Sequence, residues 1–378
     1  MSNLNSSPYA THWLTKFLAP FQQYNAWNSA LKECIGSNIP HLALVASVGE
    51  FWDQFISQAG NTVLVFGGGF SLDKLADTVF HRLNPEKFTQ GLSPNTQESY
   101  NLGKGFVIYP MIAASVIATP FLRNAIMSHA MKTDNFVQLA GVKGSKQPEN
   151  LPETPAHQKT RLAKEKKDLL TAGKIMGVGS LLGLASFLAT HHAIVKDAPL
   201  PAWMKKEIKP FWQKETVSFN GLFTLPKGDF RNVQDVPLYL FWGLGAYTGM
   251  LLASRDLVEF TESMAKTVWF GFAFMIAPRL VEPYLDKLFV NKSNAFLGSA
   301  SNMTYVAKLA VGSVLYAGMP TVMNRVFRRE RAKEAGLLVA TAPQNPVQLY
   351  AAAPSPQMLS SLPRPTVGVY QTRVMMGI

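Results

Sequence analysis

Two groups of ionisable residues stand in otherwise apolar surroundings, and their types and spacing could do chemistry. Arg279 and Glu282 are three residues apart, flanked by Pro278 and Pro283, with Asp286 one turn further on. Asp73, Lys74 and Asp77 directly follow the apolar run 63–70. Ionisable side chains at membrane depth are costly and usually functional. A proline-broken helix beside such charges is a common way for transporters to build a site. Asp73, Asp77, Arg279 and Glu282 are therefore the candidates for an intramembrane polar site acting on a small solute. The competing reading makes each pair an ion pair at a helix end, of little energetic consequence.

Other chemistry finds less support. His191 and His192 are adjacent, and neighbours on a helix point about 100° apart, so they do not readily chelate one ion. The remaining histidines are scattered without metal-ligand spacing. Gly67-Gly68-Gly69 could end a phosphate-cradling strand–turn–helix, but it lacks the GxGxxG spacing, a GK[ST] ending and a following βαβ pattern. There is no GxSxG, Walker motif or carboxylate cluster, and the single cysteine, Cys34, excludes an intrachain disulfide and a thiolate metal cluster. No enzyme activity, metal or cofactor is expected.

The elements that must position these residues read as membrane helices. Residues 175–195 contain no charged side chain, and at 1.5 Å per residue they span roughly 30 Å, the thickness of a bilayer's hydrocarbon core. A soluble helix would show a polar stripe every third or fourth residue, and none is present. Segments 105–122, 237–254 and 303–323 have the same character. Segments 62–83 and 267–285 are marginal, because charges occupy part of each. Small residues recur at four-residue spacing: Gly173 and Gly177, Gly179 and Gly183, Gly245 and Gly249. Such rows let helix backbones approach closely in a membrane, so these glycines are expected to pack helices.

Between the apolar segments the chain is polar and basic. Residues 1–61 form an amphipathic N-terminal region, suited either to the membrane interface or to packing on a core. Residues 123–174 hold ten Lys/Arg against five Asp/Glu. They combine a Pro/Gly-rich middle with a basic helix that runs into 175–195. Residues 196–235 form an extramembrane loop with several aromatic residues. After 236–325, with its three membrane segments, comes a basic stop; the Pro- and Ala-rich remainder of 326–378 is expected to be disordered.

Charge bias orients the spans. The basic stretches 123–174, around Arg255, and 325–333 belong on the cytosolic or matrix side. Segments 237–254 and 303–323 then run the same way, so 267–285 must cross back between them. By the same logic 62–83 must cross before 105–122. The sequence thus predicts an all-α polytopic membrane protein of about six transmembrane helices (four to six), with both termini on the basic side. Charged residues are only 16% of the 378, against about 25% in soluble domains. The net charge of +12 clusters beside apolar segments, which points to anionic headgroups rather than nucleic acid. Lys164, Lys166, Lys167, Arg325, Arg328 and Arg329 are the expected headgroup or partner contacts. The expected role is a non-catalytic structural or partner-binding component of a bacterial or organellar inner membrane, working with the bilayer, other membrane proteins or a second copy. The alternative is a small-solute transporter or channel.

Overall fold

The computed structural model describes residues 13–45, 47–140, 154–208, 217–290 and 299–333. The expected disorder of the tail, the Pro/Gly-rich middle at 141–153, and Phe211 and Trp212 lie outside them. The chain is all-α; among the described residues the extended structure is one two-residue antiparallel pairing, Glu207 with Ser218 and Ile208 with Val217.

Six helical rods make up most of the described residues. The 48–83 rod starts at Ser47, whose side chain accepts from the Glu50 amide at 2.9 Å and so satisfies one of the free N–H groups of a first turn. It passes through a π-helical turn, Val63–Gly67, and stops at Asn84 before Pro85. Pro94–Met131 is capped by Ser93 and Pro155–Lys196 by Thr154, each with proline in the first turn, where its missing N–H costs nothing. Residues 235–252 and 257–289 each contain a further π turn, Tyr239–Leu244 and Gly271–Ile276. Ala300–Val326 completes the set.

Contacts at the ends fix the rod directions. Asp53 meets Arg123 and Asp73 meets Lys104, so 48–83 runs antiparallel to Pro94–Met131. Gly103 faces Thr190 and Gly179 faces Ala114, so Pro155–Lys196 is antiparallel to it as well. Tyr109 stacks on Phe241 while Asn124 reaches the Ala253 carbonyl, which makes 235–252 parallel to it. Trp269 donates to the Leu315 carbonyl at 2.9 Å, Glu282 pairs with Lys308, and Glu262 pairs with Arg331; the last two rods are therefore antiparallel. Successive rods alternate in direction.

Among the described residues two unbroken helices, Pro94–Met131 and Pro155–Lys196, are long and apolar enough to cross a membrane. The apolar window of the first is 61% buried and that of the second 17%, so Pro94–Met131 is central and Pro155–Lys196 lies on the outside. The outer helix exposes Val178, Leu181, Leu182, Leu184 and Leu188.

Several sequence boundaries move. The division at 61/62 falls inside the 48–83 rod, because the uncharged run reaches back to residue 54. The basic approach 155–174 and the 175–195 segment are one 42-residue helix. The link 255–266 belongs mostly to the 257–289 rod, whose helix begins at Leu257. Within the N-terminal region, 25–43 runs along the bundle rather than across its end. Asn28 accepts from the Tyr305 hydroxyl at 2.9 Å, Asn38 donates to Thr62 at 2.9 Å, and Ser47 donates to the Leu139 carbonyl at 3.2 Å. Gln22 donates to Asn302, which in turn donates to Thr15. Helix Trp13–Gln23 therefore sits at the end of the bundle opposite Arg331, and the two described ends of the chain are on different sides, not the same one.

The glycine rows divide in two. An added Cβ at Gly179 would meet Ala114 Cβ and the Pro110 carbonyl; at Gly183 it would meet the Val107 carbonyl at 3.3 Å; at Gly245, Val116 at 2.8 Å; and at Gly249, the Ile117 carbonyl at 2.7 Å. Gly173 and Gly177 have nothing within 4 Å. Gly179→Ala should thus overpack the seam and cost about 1–3 kcal/mol, whereas Gly177→Ala should be neutral or stabilising. Thermal unfolding of the two variants in one detergent tests the contrast, and an equal loss in both would contradict it.

Candidate functional site

The buried charged residues of the six rods gather at the two ends of the bundle. At the first end Asp53, Arg123, Arg255 and Glu259 are all at most 6% exposed. Arg123 donates to Glu259 at 2.7 Å and lies 3.5 Å from Asp53. Arg255 lies 3.0 Å from Asp53 and donates to Glu259 at 2.9 and 3.1 Å. Two carboxylates and two guanidiniums leave this group neutral, as buried charge requires.

Local sequence explains the placement. Asp256 accepts from the Glu259 amide at 2.9 Å and so caps the 257–289 rod, while Glu259 accepts from the Arg255 amide at 2.6 Å. This is close to the reciprocal pattern of a capping box. The other oxygen of Asp256 accepts from the Phe136 amide at 3.0 Å. Burial pushes the Asp256 carboxyl above its usual range.

A second group adjoins the first. Arg331 holds Glu262 with two donors and Glu50 at 3.2 Å, and Lys266 stands 3.9 Å from Glu262. Arg331 is 1% exposed. The ring of Phe136 lies 5.3 Å from the Arg255 guanidinium and 5.1 Å from that of Arg331, within cation–π range of both.

At the opposite end the Lys104 side chain is fully buried and lies 2.6 Å from both Asp73 and Asp77. It also donates to the Gly228 carbonyl, and Tyr100 donates to Asp77. Asp73 accepts from the Phe230 amide at 3.3 Å. Phe230 packs so tightly on Gly69 that no Cβ would fit there, so the 226–230 loop is pressed onto this site.

Nearby, Asp197 ends helix Pro155–Lys196 in the left-handed region, at φ 49°, where Asp is tolerated better than most residues. Ser93 and Thr96 both donate to its carboxylate and hold it below the usual carboxylate range. For Asp229, burial acts upward, but hydrogen bonds and charge from Arg231 outweigh it and lower the carboxyl.

The four residues singled out for a solute site are thus engaged in different places. Asp73 and Asp77 share Lys104, and Glu282 pairs with Lys308; the side chain of Arg279 lies outside the description. Lys164 pairs with Asp134 at 3.3 Å. Lys166, Lys167, Arg325, Arg328 and Arg329 are exposed. No group of three or more His, Cys, Asp or Glu able to hold a metal occurs among the described residues. The sequence reading missed Asp53, Lys104, Arg123, Arg255, Glu259, Glu262 and Arg331 as site residues. Their signal was the pairing of charges at both borders of uncharged runs: Asp53 and Asp73 bound 54–72, Lys104 and Arg123 bound 105–122.

Removing one partner of a buried ion group costs about 3–5 kcal/mol, so Arg331→Met should lower stability by that amount. Adding Glu262→Gln should restore part of the loss, giving a non-additive cycle in chemical denaturation. A depressed carboxyl stabilises the fold above its unfolded pKa, and that contribution is lost as pH falls through the folded value. Asp197→Asn, which keeps the left-handed turn, should therefore lower Tm at neutral pH, by a difference that shrinks as the pH is taken down through and below the ordinary carboxylate range. A Tm difference that stays constant from neutral to acid pH would refute this.

No family model, curated protein or solved structure matches the chain, and the geometry above is what bears on its function.

Proposed function

We propose that this chain is an integral membrane protein whose six rods cross the bilayer, and that it serves as a non-catalytic structural component for assembly with headgroups or other membrane proteins. One observation carries the reading: two levels of buried ion pairs with no charge between them on the rods that join them. Asp53 to Asp73 and Lys104 to Arg123 are each about 29 to 30 Å apart along their helices, the thickness of a hydrocarbon core. Residues 236–254, bounded by Asp235 and Arg255, repeat the same interval. Apolar side chains exposed on the outer helix suit lipid contact. The exposed Lys166, Lys167, Arg325, Arg328 and Arg329 stand at the Arg123 end, suited to anionic headgroups on one face.

The transporter reading through Asp73, Asp77, Arg279 and Glu282 has less in its favour. The two aspartates are matched by Lys104 and closed over by the 226–230 loop. Glu282 is matched by Lys308 on another rod pair.

Single-cysteine labelling in sealed vesicles, on a Cys34→Ser background, tests the crossing. Lys16→Cys, Lys87→Cys and Lys206→Cys should react from one side, and Lys167→Cys and Phe260→Cys from the other. Reaction of Lys87→Cys and Phe260→Cys from the same side would sink the six-rod reading. Release of the protein from membranes by alkaline carbonate would sink integral insertion altogether.

A further inference from the structure

Between the last two rods lies a groove of about 530 Å³, lined by Phe272, Leu280 and Val281 from 257–289 and by Ala310, Val311 and Val314 from Ala300–Val326. Its size is that of a small-ligand site. Among the described residues every lining side chain is apolar. Leu280 is 61% exposed and Val314 71%, so the groove opens outward from the bundle.

The groove ends at an ion pair. Val281 directly precedes Glu282 and Ala310 follows Lys308 by two residues, so both walls lead up to the Glu282–Lys308 bridge. Glu282 follows Glu262 by 20 residues, about 30 Å of helix, the same interval that separates Asp53 from Asp73. The bridge therefore stands at the Lys104 level, where a bilayer's headgroups begin, and the groove lies on its hydrocarbon side. The Lys308 side chain is 27% exposed and that of Glu282 46%, unlike the buried groups at the other end. An ion pair open to solvent contributes little to stability, so it can part to receive other charges.

An apolar groove capped by charge at headgroup depth matches the two halves of a phospholipid, and the charges select its head. The Lys308 ammonium suits a phosphate, and the Glu282 carboxylate accepts from a charged N–H donor. A primary-amine headgroup carries both complements. A trimethylated headgroup has no N–H to donate, and an anionic headgroup without an amine leaves Glu282 facing like charge. We propose that this groove binds one phosphatidylethanolamine-type lipid, its acyl chain along Leu280 and Val314, its phosphate on Lys308 and its ammonium on Glu282. The inference rests on the membrane reading above and adds a headgroup-selective site at the end of the bundle opposite the exposed basic residues.

The test is native mass spectrometry of the detergent-solubilised full chain, titrated with phosphatidylethanolamine, phosphatidylcholine or phosphatidylglycerol of identical acyl chains. The unaltered protein should retain one phosphatidylethanolamine at a concentration at least tenfold below that needed for either of the others. Val314→Trp, at an exposed position where a larger side chain fills the groove, should raise that concentration at least tenfold. Glu282→Gln should erase the headgroup preference. Equal retention of the three lipids, or a preference unchanged in both variants, would overturn the proposal. A lipid-free dimer would give the groove to a second copy, and a lipid-free monomer would leave it without a lipid; either result also overturns it. Alkaline carbonate extraction of the same membranes separates the two readings: protein that resists extraction yet shows no lipid preference defeats this inference alone, whereas released protein defeats the membrane reading as well.

Discussion

A charge taken out of water must find its opposite, and this requirement governs the arrangement of the rods. Moving an ion into a low-dielectric interior costs several kcal/mol even after relaxation. Lys104, Arg123, Arg255 and Arg331 therefore accept few positions. Helix Pro94–Met131 is tied by Lys104 at one end and Arg123 at the other to the same partner rod, at Asp73 and Asp53. Sliding the pair by one turn in either direction would strand charges at both ends at once. Apolar packing along the middle tolerates such slips far better, so the register comes from the ends and the adhesion from the middle.

The middle is joined by close backbone approach. Gly179 and Gly183 let Pro155–Lys196 settle on Pro94–Met131, and Gly245 and Gly249 do the same for the 235–252 rod on its other flank. Both neighbours crowd the same central helix, which explains why that helix is largely buried while Pro155–Lys196 is not. The prolines at 110 and 120 sit within this crowded helix without ending it, as neighbouring helices permit.

Much of the architecture was legible in the sequence because length and absence of charge are strong, local signals. The 175–195, 105–122 and 303–323 segments all fall within rods, as do the two marginal ones, while 237–254 overruns its rod by two residues. What was not legible depends on distance in the chain. Nothing near Arg123 reveals that it will meet Glu259, 136 residues away. Glu50 and Asp53 made the helix before residue 62 read as an amphipathic one, because a buried polar stripe and a solvated one have the same period. Arg331 was read as part of a basic stop, yet it is buried while its neighbours Arg328 and Arg329 are exposed. Only the third dimension separates a charge that anchors from charges that repel or attract at a surface.

The spacing of the two ionic levels has a consequence for whatever surrounds them. Because Lys104 and Arg123 are on one continuous helix, the interval between them is set by hydrogen-bonded backbone and cannot stretch. In a bilayer of different thickness, the lipid would have to yield, thinning or thickening around the protein at a cost of fractions of a kcal/mol per Å. A bundle built this way would behave as a gauge, settling where the membrane already fits it and deforming the membrane elsewhere.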